Sequence, residues 1–183
     1  DVAFQRGMGN MYEKTERLEA LTSCLLKESG VAADEKALVR AARLSKADLV
    51  TGMVTEFTEL QGTMGREYAL LDGEGDTVST AIGEQYMPRF AGDELPQTNE
   101  GRLLAIADKL DNITATFSRG EAPTGSQDPY ALRRQALGSL NIVTDGNIHF
   151  ALTSAIKETL SRLPKTNQSE DKLVADIVES VSY

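Results

Sequence analysis

Apolar residues recur at intervals of three and four along most of this chain, which is the spacing of one face of an α-helix. Leu18, Leu21 and Leu25 predict a first helix over residues 11–27. Gly30 follows it, and a glycine just past the last turn is a common helix terminator because it adopts left-handed backbone angles without strain. The chain therefore opens with an amphipathic helix.

Two further helical segments follow. Asp34 can cap a helix over residues 34–47, whose apolar positions recur at three-residue steps: Leu38, Ala41 and Leu44. A third element carries apolar residues spaced by three or four: Leu49, Met53, Phe57, Leu60 and Met64. This spacing predicts a third helical element, in which Gly62 and Gly65 permit either tight helix packing or a helix break.

The middle of the chain contains the clearest helical pattern. Gly73 and Gly75 predict a turn, and a short helix over residues 77–86 ends before Pro88. After a loop over residues 89–96, residues 100–117 carry one wide apolar stripe: Leu103, Ile106, Ala107, Leu110, Ile113 and Phe117.

A loop rich in proline and glycine, residues 122–126, then leads into a helix that carries adjacent arginines, Arg133 and Arg134. We expect Asp128 to cap this helix and Pro129 to occupy its first position. Apolar contacts of the helix are expected from three side chains: Tyr130, Leu137 and Leu140.

The last third predicts a turn at residues 145–147, a helix over residues 149–163 and a polar break over residues 164–170. Residues 172–181 predict a truncated helix whose packing partners we expect outside the chain. No run of alternating apolar and polar residues is long enough for a strand. The predicted fold class is therefore all-α.

Composition and charge exclude several classes of function and of site. The 183 residues hold one cysteine and one histidine, so neither an internal disulfide nor a zinc site built on cysteine and histidine is expected. The net charge of −9 argues against a surface that wraps RNA as a whole, but it allows a local basic patch.

No apolar run is long enough to span a membrane. Without an initiating Met or a leader, the sequence is expected to be a piece of a longer protein.

Four segments, in order, resemble the β subunit of bacterial heterotetrameric glycyl-tRNA synthetase. They are residues 4–21 with Gly9-Asn-Met-Tyr-Glu-Lys-Thr-Glu-Arg17, residues 45–65, residues 85–111 with Gln85-Tyr-Met-Pro-Arg-Phe-Ala-Gly-Asp93, and residues 122–138. Beyond His149 the resemblance is weaker.

The resemblance implies a part of an ATP-dependent ligase that attaches glycine to tRNA in the cytoplasm. In that family the α subunit carries the aminoacylation site, with its ATP and Mg²⁺, and the β subunit mainly engages tRNA. The expected partners are tRNA(Gly), the α subunit and the other β-subunit domains, and no cofactor is expected in this fragment. The region resembles an internal HD-type domain, a bundle of roughly 7–9 helices. It divides into an entry helix (residues 1–30), the HD-like domain (residues 31–163) and the polar break with the last helix (residues 164–183).

The resemblance also places two degenerate HD-site positions, Asp48 and Asp108. An active HD site needs imidazoles beside its carboxylates to hold a metal that activates water. Here Ala47 stands where the histidine of the His-Asp pair would be, and the only histidine, His149, lies well after Asp108. We expect the two carboxylates to be struts between helices, paired with a lysine such as Lys46 or Lys109. A weak Mg²⁺ site in an altered phosphohydrolase is the alternative.

Arg133, Arg134 and Arg89 are the RNA-binding candidates, since guanidinium groups form paired hydrogen bonds with phosphate oxygens. The simpler alternatives are structural. One arginine of the pair could bind an acid such as Asp128 while the other is solvated, and Arg89 could fix its loop by bonding carbonyls or Asp93. On these alternatives the domain is a scaffold within the β subunit. No catalytic residue is predicted.

Overall fold

The computed structural model describes residues 9–182, and within them the fold is all-helical, as predicted. Residues 4–8, which begin the first of the four segments that carry the resemblance, lie outside the described residues. The α-helices are α1 (Met11–Ser29), α2 (Glu35–Leu44), α3 (Gly52–Glu56), α4 (Thr63–Leu71), α5 (Asp76–Glu84), α6 (Asn99–Ser118), α7 (Leu132–Gly146), α8 (Leu152–Ser161) and α9 (Glu170–Ser182). Two 3₁₀ turns complete them, Ala47–Val50 and Thr58–Leu60.

The first two helices form largely as the sequence predicts. Gly30 ends α1 with a left-handed backbone (φ 63°), and its N–H bonds the carbonyl of Leu26. The Asp34 carboxylate accepts the N–H of Ala37 at 3.1 Å and so caps α2. The predicted end of α2 is wrong by three residues, because the helix stops at Leu44 and Ala47 already belongs to a 3₁₀ turn.

The third predicted element is helical but is divided into several short pieces. The segment breaks into a 3₁₀ turn, the short helix α3, a second 3₁₀ turn and the first residues of α4. Asp48 is the physical reason, because its Oδ2 accepts the N–H of Gly62 at 2.7 Å and that of Gly65 at 3.1 Å. Those two bonds fold the chain back over itself, and Gly62 supplies the positive φ of 81° at the bend.

Helix α6 runs through the centre of the fold and packs against α1, α5, α7, α8 and α9. Its predicted apolar stripe is buried, with Leu103 and Ile106 inaccessible to solvent. Burial extends all round the helix, so the charged residues Asp108, Lys109 and Asp111 are enclosed as well. A core helix with buried charges must satisfy them internally, and that requirement builds the site described below.

Helix α7 begins later than predicted. Ala131, with φ 52°, precedes the first helical residue, Leu132, so Pro129 lies outside the helix. The capping prediction for Asp128 is confirmed, since its carboxylate accepts the N–H groups of Leu132 and Arg133 at 2.8 and 3.0 Å. The expected apolar contacts are wrong, because three side chains are exposed: Tyr130, Leu137 and Leu140.

In the C-terminal third, the turn predicted at residues 145–147 comes later, because α7 continues to Gly146 and ends at Asn147 with a left-handed backbone (φ 48°). Two other expectations are also corrected. Helix α8 begins at Leu152 rather than at His149, since the Glu28 carboxylate of α1 holds the N–H of Ala151 in the preceding loop. Helix α9 finds its partners inside the chain, because its apolar face packs with residues of α6 and α8: Leu173, Val174 and Ile177 against Ile113, Phe117 and Ile156.

Between residues 9 and 182, no helix combines the length and apolar character needed to cross a bilayer. The three-part division at residues 30 and 163 stays a prediction. Helix α1 nevertheless belongs to the main core, because Leu18, Leu21 and Leu25 are fully buried and α1 packs against α2, α6 and α8. The packing of α1 on α6 brings the basic residues of the first helix to the carboxylates of the central one.

Candidate functional site

A buried ion-pair network joins α1, α6 and the turn after α2. Its members are side chains almost closed to solvent: Lys14, Arg17, Lys46, Asp108 and Asp111. Lys14 Nζ lies 2.8 Å from Asp111 Oδ2 and 3.3 Å from Asp108 Oδ1. Arg17 binds Asp111 through Nε at 2.7 Å, and Lys46 Nζ lies 2.8 Å from Asp108 Oδ1.

The cations of this network keep its carboxylates ionised. Burial by itself would raise the pKa of Asp108, but the charges of Lys14 and Lys46 outweigh it and hold the pKa well below the ordinary value. Burial opposes ionisation of Asp111 too, and there Lys14 and Arg17 hold the pKa low. The predicted pairing of Asp108 with Lys46 is found, and Lys14 is a second partner that the sequence analysis did not identify.

Asp48, the other predicted HD-site position, has a backbone role. Its side chain is buried, and one oxygen accepts the N–H groups of Gly62 and Gly65. Gly65 admits this approach because an added Cβ would lie 2.9 Å from Ile82 Cγ2 and 3.2 Å from Asp48 Oδ2. Asp48 thus fixes a loop against α4, as expected of a strut.

The donor set around Asp108 does not fit a divalent cation. Two ammonium groups, Lys14 and Lys46, already face the Asp108 carboxylate, and a metal would have to displace them against like-charge repulsion. Among residues 9–182, no group of three histidine, cysteine, aspartate or glutamate side chains converges as metal ligands would. We derive no metal-dependent step here.

Two clefts open beside the network and share part of their walls. The first, called the cationic cleft, encloses about 300 Å³, and its lining residues are mainly cationic or amide-bearing: Gln61, Tyr86, Pro88, Arg89, Asp108, Lys109, Asn112, Ala131, Arg134 and Gln135. The second encloses about 470 Å³ and reaches Lys14 and Lys46. Both clefts are bordered by the same four residues: Gln61, Tyr86, Asp108 and Asn112. A patch of positive charge therefore lies within a chain of net charge −9.

Lys109 is the buried cation of the cationic cleft, with 4 % of its surface exposed. Its Nζ donates to the backbone carbonyl of Met87 at 2.7 Å, and it forms no ion pair within residues 9–182. Burial lowers the pKa of Lys109 to about 8; Asp108 opposes that shift, while Lys46 and Arg89 reinforce it. A buried ammonium group without an ion-paired carboxylate would be stabilised by an incoming anion.

Arg89 has the structural contacts expected of a loop-fixing arginine. Its guanidinium donates to the carbonyl of Gln61 at 2.7 Å and lies 5.4 Å from the centre of the Tyr86 ring. Its backbone N–H donates to Asp93 Oδ2 at 2.7 Å. The guanidinium nevertheless lines the cationic cleft, so these bonds hold a positive charge at its wall.

The adjacent arginines of α7 have different surroundings. The Arg133 guanidinium donates to the carbonyl of Gly125 at 2.7 Å, away from the lining of the cleft. Arg134 is exposed, lines the cleft and has no hydrogen bond or ion pair among the described residues. Of the three RNA-binding candidates, the fold brings Arg89 and Arg134 to one cleft and leaves Arg133 outside it. RNA contact by any of them stays a prediction.

Sequence reasoning missed several members of this site, although the sequence carried a signal for one of them. Lys14 stands four residues before Leu18, on the same helical stripe as Leu21 and Leu25, and so occupies a position that should face the core. Its partner Asp111 interrupts the best apolar helix. Charged residues on core positions of two helices indicate a buried pair.

Comparison with known proteins assigns the chain to one family. The family model described as "Glycyl-tRNA synthetase beta subunit" matches residues 1–181. The chain is 51 % identical over 177 residues to the glycine–tRNA ligase beta subunit of Clostridioides difficile, covering 97 % of this chain and 26 % of that protein. It is 53 % identical over 168 residues to the beta subunit of Halothermothrix orenii, covering 89 % of this chain and 24 % of that protein. The chain thus spans about a quarter of the length of these relatives.

Proposed function

Because this chain belongs to the glycyl-tRNA synthetase beta subunit family, we propose that it supports the ATP-dependent attachment of glycine to tRNA(Gly) by docking the tRNA. On this proposal the chain is a non-catalytic domain of the cytoplasmic enzyme. The α subunit supplies the aminoacylation site with its ATP and Mg²⁺, and this domain contributes phosphate contacts and packs against other domains of the β subunit.

The observation that carries the proposal is the position of Arg134. Its guanidinium is exposed at the rim of the cationic cleft and lacks a partner within residues 9–182, so it is available to an anion. Guanidinium groups suit phosphate because their donors match two phosphate oxygens at once. Arg89 and Lys109 add positive charge to the same cleft. A concentrated patch of this kind can bind RNA locally even when the chain as a whole is acidic.

A non-catalytic role is supported by the contacts of the buried carboxylates, which bind cationic side chains or backbone N–H groups of the chain itself. Asp108 and Asp111 are held by lysines and an arginine, and Asp48 is held by backbone N–H groups. Neither Asp108 nor Asp111 is poised to accept a proton from a substrate, since ion pairing keeps the pKa of both carboxyl groups low. The altered phosphohydrolase is the less supported alternative. It predicts hydrolysis of phosphate monoesters with Mn²⁺, Mg²⁺ or Ni²⁺, and we expect none.

The proposal is tested by separating the two half-reactions of the full enzyme. With Arg134→Glu in the β subunit, we expect the KM for tRNA in glycine charging to rise by about tenfold, the effect of losing roughly 1.4 kcal/mol of binding. Glycine-dependent exchange of pyrophosphate into ATP, which needs no tRNA, should be unchanged. Loss of that exchange with an unaltered KM for tRNA would overturn the docking role.

A further inference from the structure

We propose that the cationic cleft admits one unpaired nucleotide of RNA, whose phosphate is bound between Arg134 at the rim and Lys109 inside. This inference rests on the proposed function and specifies it. Docking by Arg134 alone would serve a double helix equally well, whereas a phosphate that reaches Lys109 requires a strand free to bend into the cleft.

Lys109 is buried in the cationic cleft and keeps hydrogen-bond donors that no described residue uses. Its ammonium group is buried, donates one hydrogen bond to the Met87 carbonyl and forms no ion pair within the described part of the chain. An ammonium group carries three donors, so two are left for a ligand. Arg89 and Arg134 line the same cleft, and together the three cations surround a space suited to a phosphate.

The size of the cationic cleft suits one nucleotide better than a duplex. About 300 Å³ is at the lower end of the range for sites that enclose a small molecule, and it suits about one nucleotide. The backbone of a double helix lies on the outside of a rigid rod and could approach only the exposed Arg134. Sequence-tolerant binding of unpaired strands commonly combines such a positive groove with single nucleotides turned inward.

The uncharged part of the cleft lining carries three amide side chains, those of Gln61, Asn112 and Gln135. A chain of hydrogen bonds fixes two amide side chains at the wall, since Lys14 Nζ donates to Asn112, Asn112 donates to Gln135 and Gln135 donates to the carbonyl of Tyr130. The Gln61 side chain, at the same wall, forms no hydrogen bond with the described residues. Amide groups of this kind can pair with the edges of an unstacked base, which a duplex does not expose.

Two exposed aromatic residues are sequence neighbours of residues that line the cleft. Phe90 and Tyr130 are exposed, and each directly adjoins a lining residue in the chain, Arg89 and Ala131 respectively. Aromatic side chains next to a basic groove are typical of proteins that bind single strands, because every base can stack on them.

The experiment uses the full-length β subunit assembled with its α partner. The probes are a fluorescent single-stranded RNA of ten nucleotides and the same strand annealed into a duplex, with inorganic phosphate as competitor. The variants are Lys109→Met, which keeps the length of the side chain, Arg134→Gln, and Arg133→Gln as the matched control outside the cleft. We expect the single strand to bind the unaltered enzyme about tenfold more tightly than the duplex. Lys109→Met and Arg134→Gln should each remove most of that preference, and Arg133→Gln should preserve it.

The outcomes separate this inference from the docking role. Equal binding of strand and duplex, or an unchanged preference in both cleft variants, would overturn it. If tRNA binding weakens with Arg134→Gln but not with folded Lys109→Met, the docking role stands and the inner phosphate position is wrong. If Lys109→Met does not fold, the strand preference of Arg134→Gln against Arg133→Gln decides. Competition by millimolar inorganic phosphate alone, with no preference for the strand, would mean a free-anion site and would also overturn the inference.

Discussion

Lys46 Nζ lies 2.8 Å from Asp108 Oδ1, and both side chains are almost entirely shielded from solvent. Lys46 also donates to the side-chain oxygen of Gln85 at 2.8 Å and to the Tyr86 hydroxyl at 3.1 Å. One ammonium group thus links the turn after α2, the end of α5 and the centre of α6. Asp108 is consequently a structural anchor, and the neighbouring Lys109 is left to face the cationic cleft.

Removing Lys46 should destabilise the fold strongly. Lys46→Met would leave the buried Asp108 carboxylate with Lys14 as its remaining ion-pair partner, and breaking a buried pair from one side typically costs about 3–5 kcal/mol. Because Lys14 stays, we expect the lower end of that range. Denaturant unfolding measures it, with Lys157→Met on the exposed face of α8 as the control that should change stability by less than about 0.5 kcal/mol. Equal effects of the two substitutions would mean that the ion pair contributes nothing.

The buried ion-pair network also predicts how the free energy of unfolding depends on pH in the acid range. The folded-state pKa values of Asp108 and Asp111 are depressed, so their contribution to stability is fully present above the ordinary aspartate value of 3.8. That contribution is lost progressively as the pH falls below it towards the folded pKa values, because the unfolded chain then binds more protons. Unfolding free energy measured from pH 6 down to pH 2 should therefore fall steeply in the acid range.

Asp111→Asn gives the comparison for this pH dependence. The variant should be less stable at pH 6, since Arg17 and Lys14 lose their charged partner, and its stability should fall less steeply below pH 3.8. Asp171→Asn, at an exposed position of α9, should keep the dependence of the unaltered protein. A curve for Asp111→Asn parallel to that of the unaltered protein would show that Asp111 does not titrate with a depressed pKa.

The bend held by Asp48 should be sensitive to a single methyl group. In Gly65→Ala the added Cβ would lie 2.9 Å from Ile82 Cγ2 and 3.2 Å from Asp48 Oδ2, closer than ordinary contact distances. We expect a loss of about 1–3 kcal/mol through overpacking. Gly52→Ala is the matched control, because nothing lies within 4 Å of its added Cβ, and it should be neutral or stabilising by roughly 0.5 kcal/mol. A harmless Gly65→Ala would mean that the loop tolerates displacement from Asp48.

The sequence predicted the elements better than the site, for a physical reason. Helical periodicity located α1, α2 and α6 because each buries a regular stripe of apolar residues. The same rule did not locate the breaks within residues 49–64, where two backbone N–H groups donate to one carboxylate, that of Asp48, and fold the chain back. Contacts between residues far apart in sequence cannot be seen in a local pattern.

The arginines of α7 illustrate the same limit at the candidate site. Arg133 and Arg134 are equivalent by composition, charge and position near the start of the helix. Their difference depends on the left-handed backbone of Ala131, which starts the helix at Leu132, and on the Gly125 carbonyl that binds Arg133. The convergence of Arg89 and Lys109 on Arg134 requires α6, α7 and the loop after α5 to be packed together.

The most direct measurement of the central claim is tRNA(Gly) binding by the full β subunit with its α partner, at two salt concentrations. The unaltered protein is compared with Arg134→Gln and with Arg133→Gln. We predict that Arg134→Gln weakens binding and makes the slope of log affinity against log salt shallower by about 1, the signature of one lost phosphate contact. Arg133→Gln should change neither quantity. Unchanged affinity and slope for Arg134→Gln, or equal losses for both variants, would contradict docking at the cationic cleft and leave this domain as scaffold.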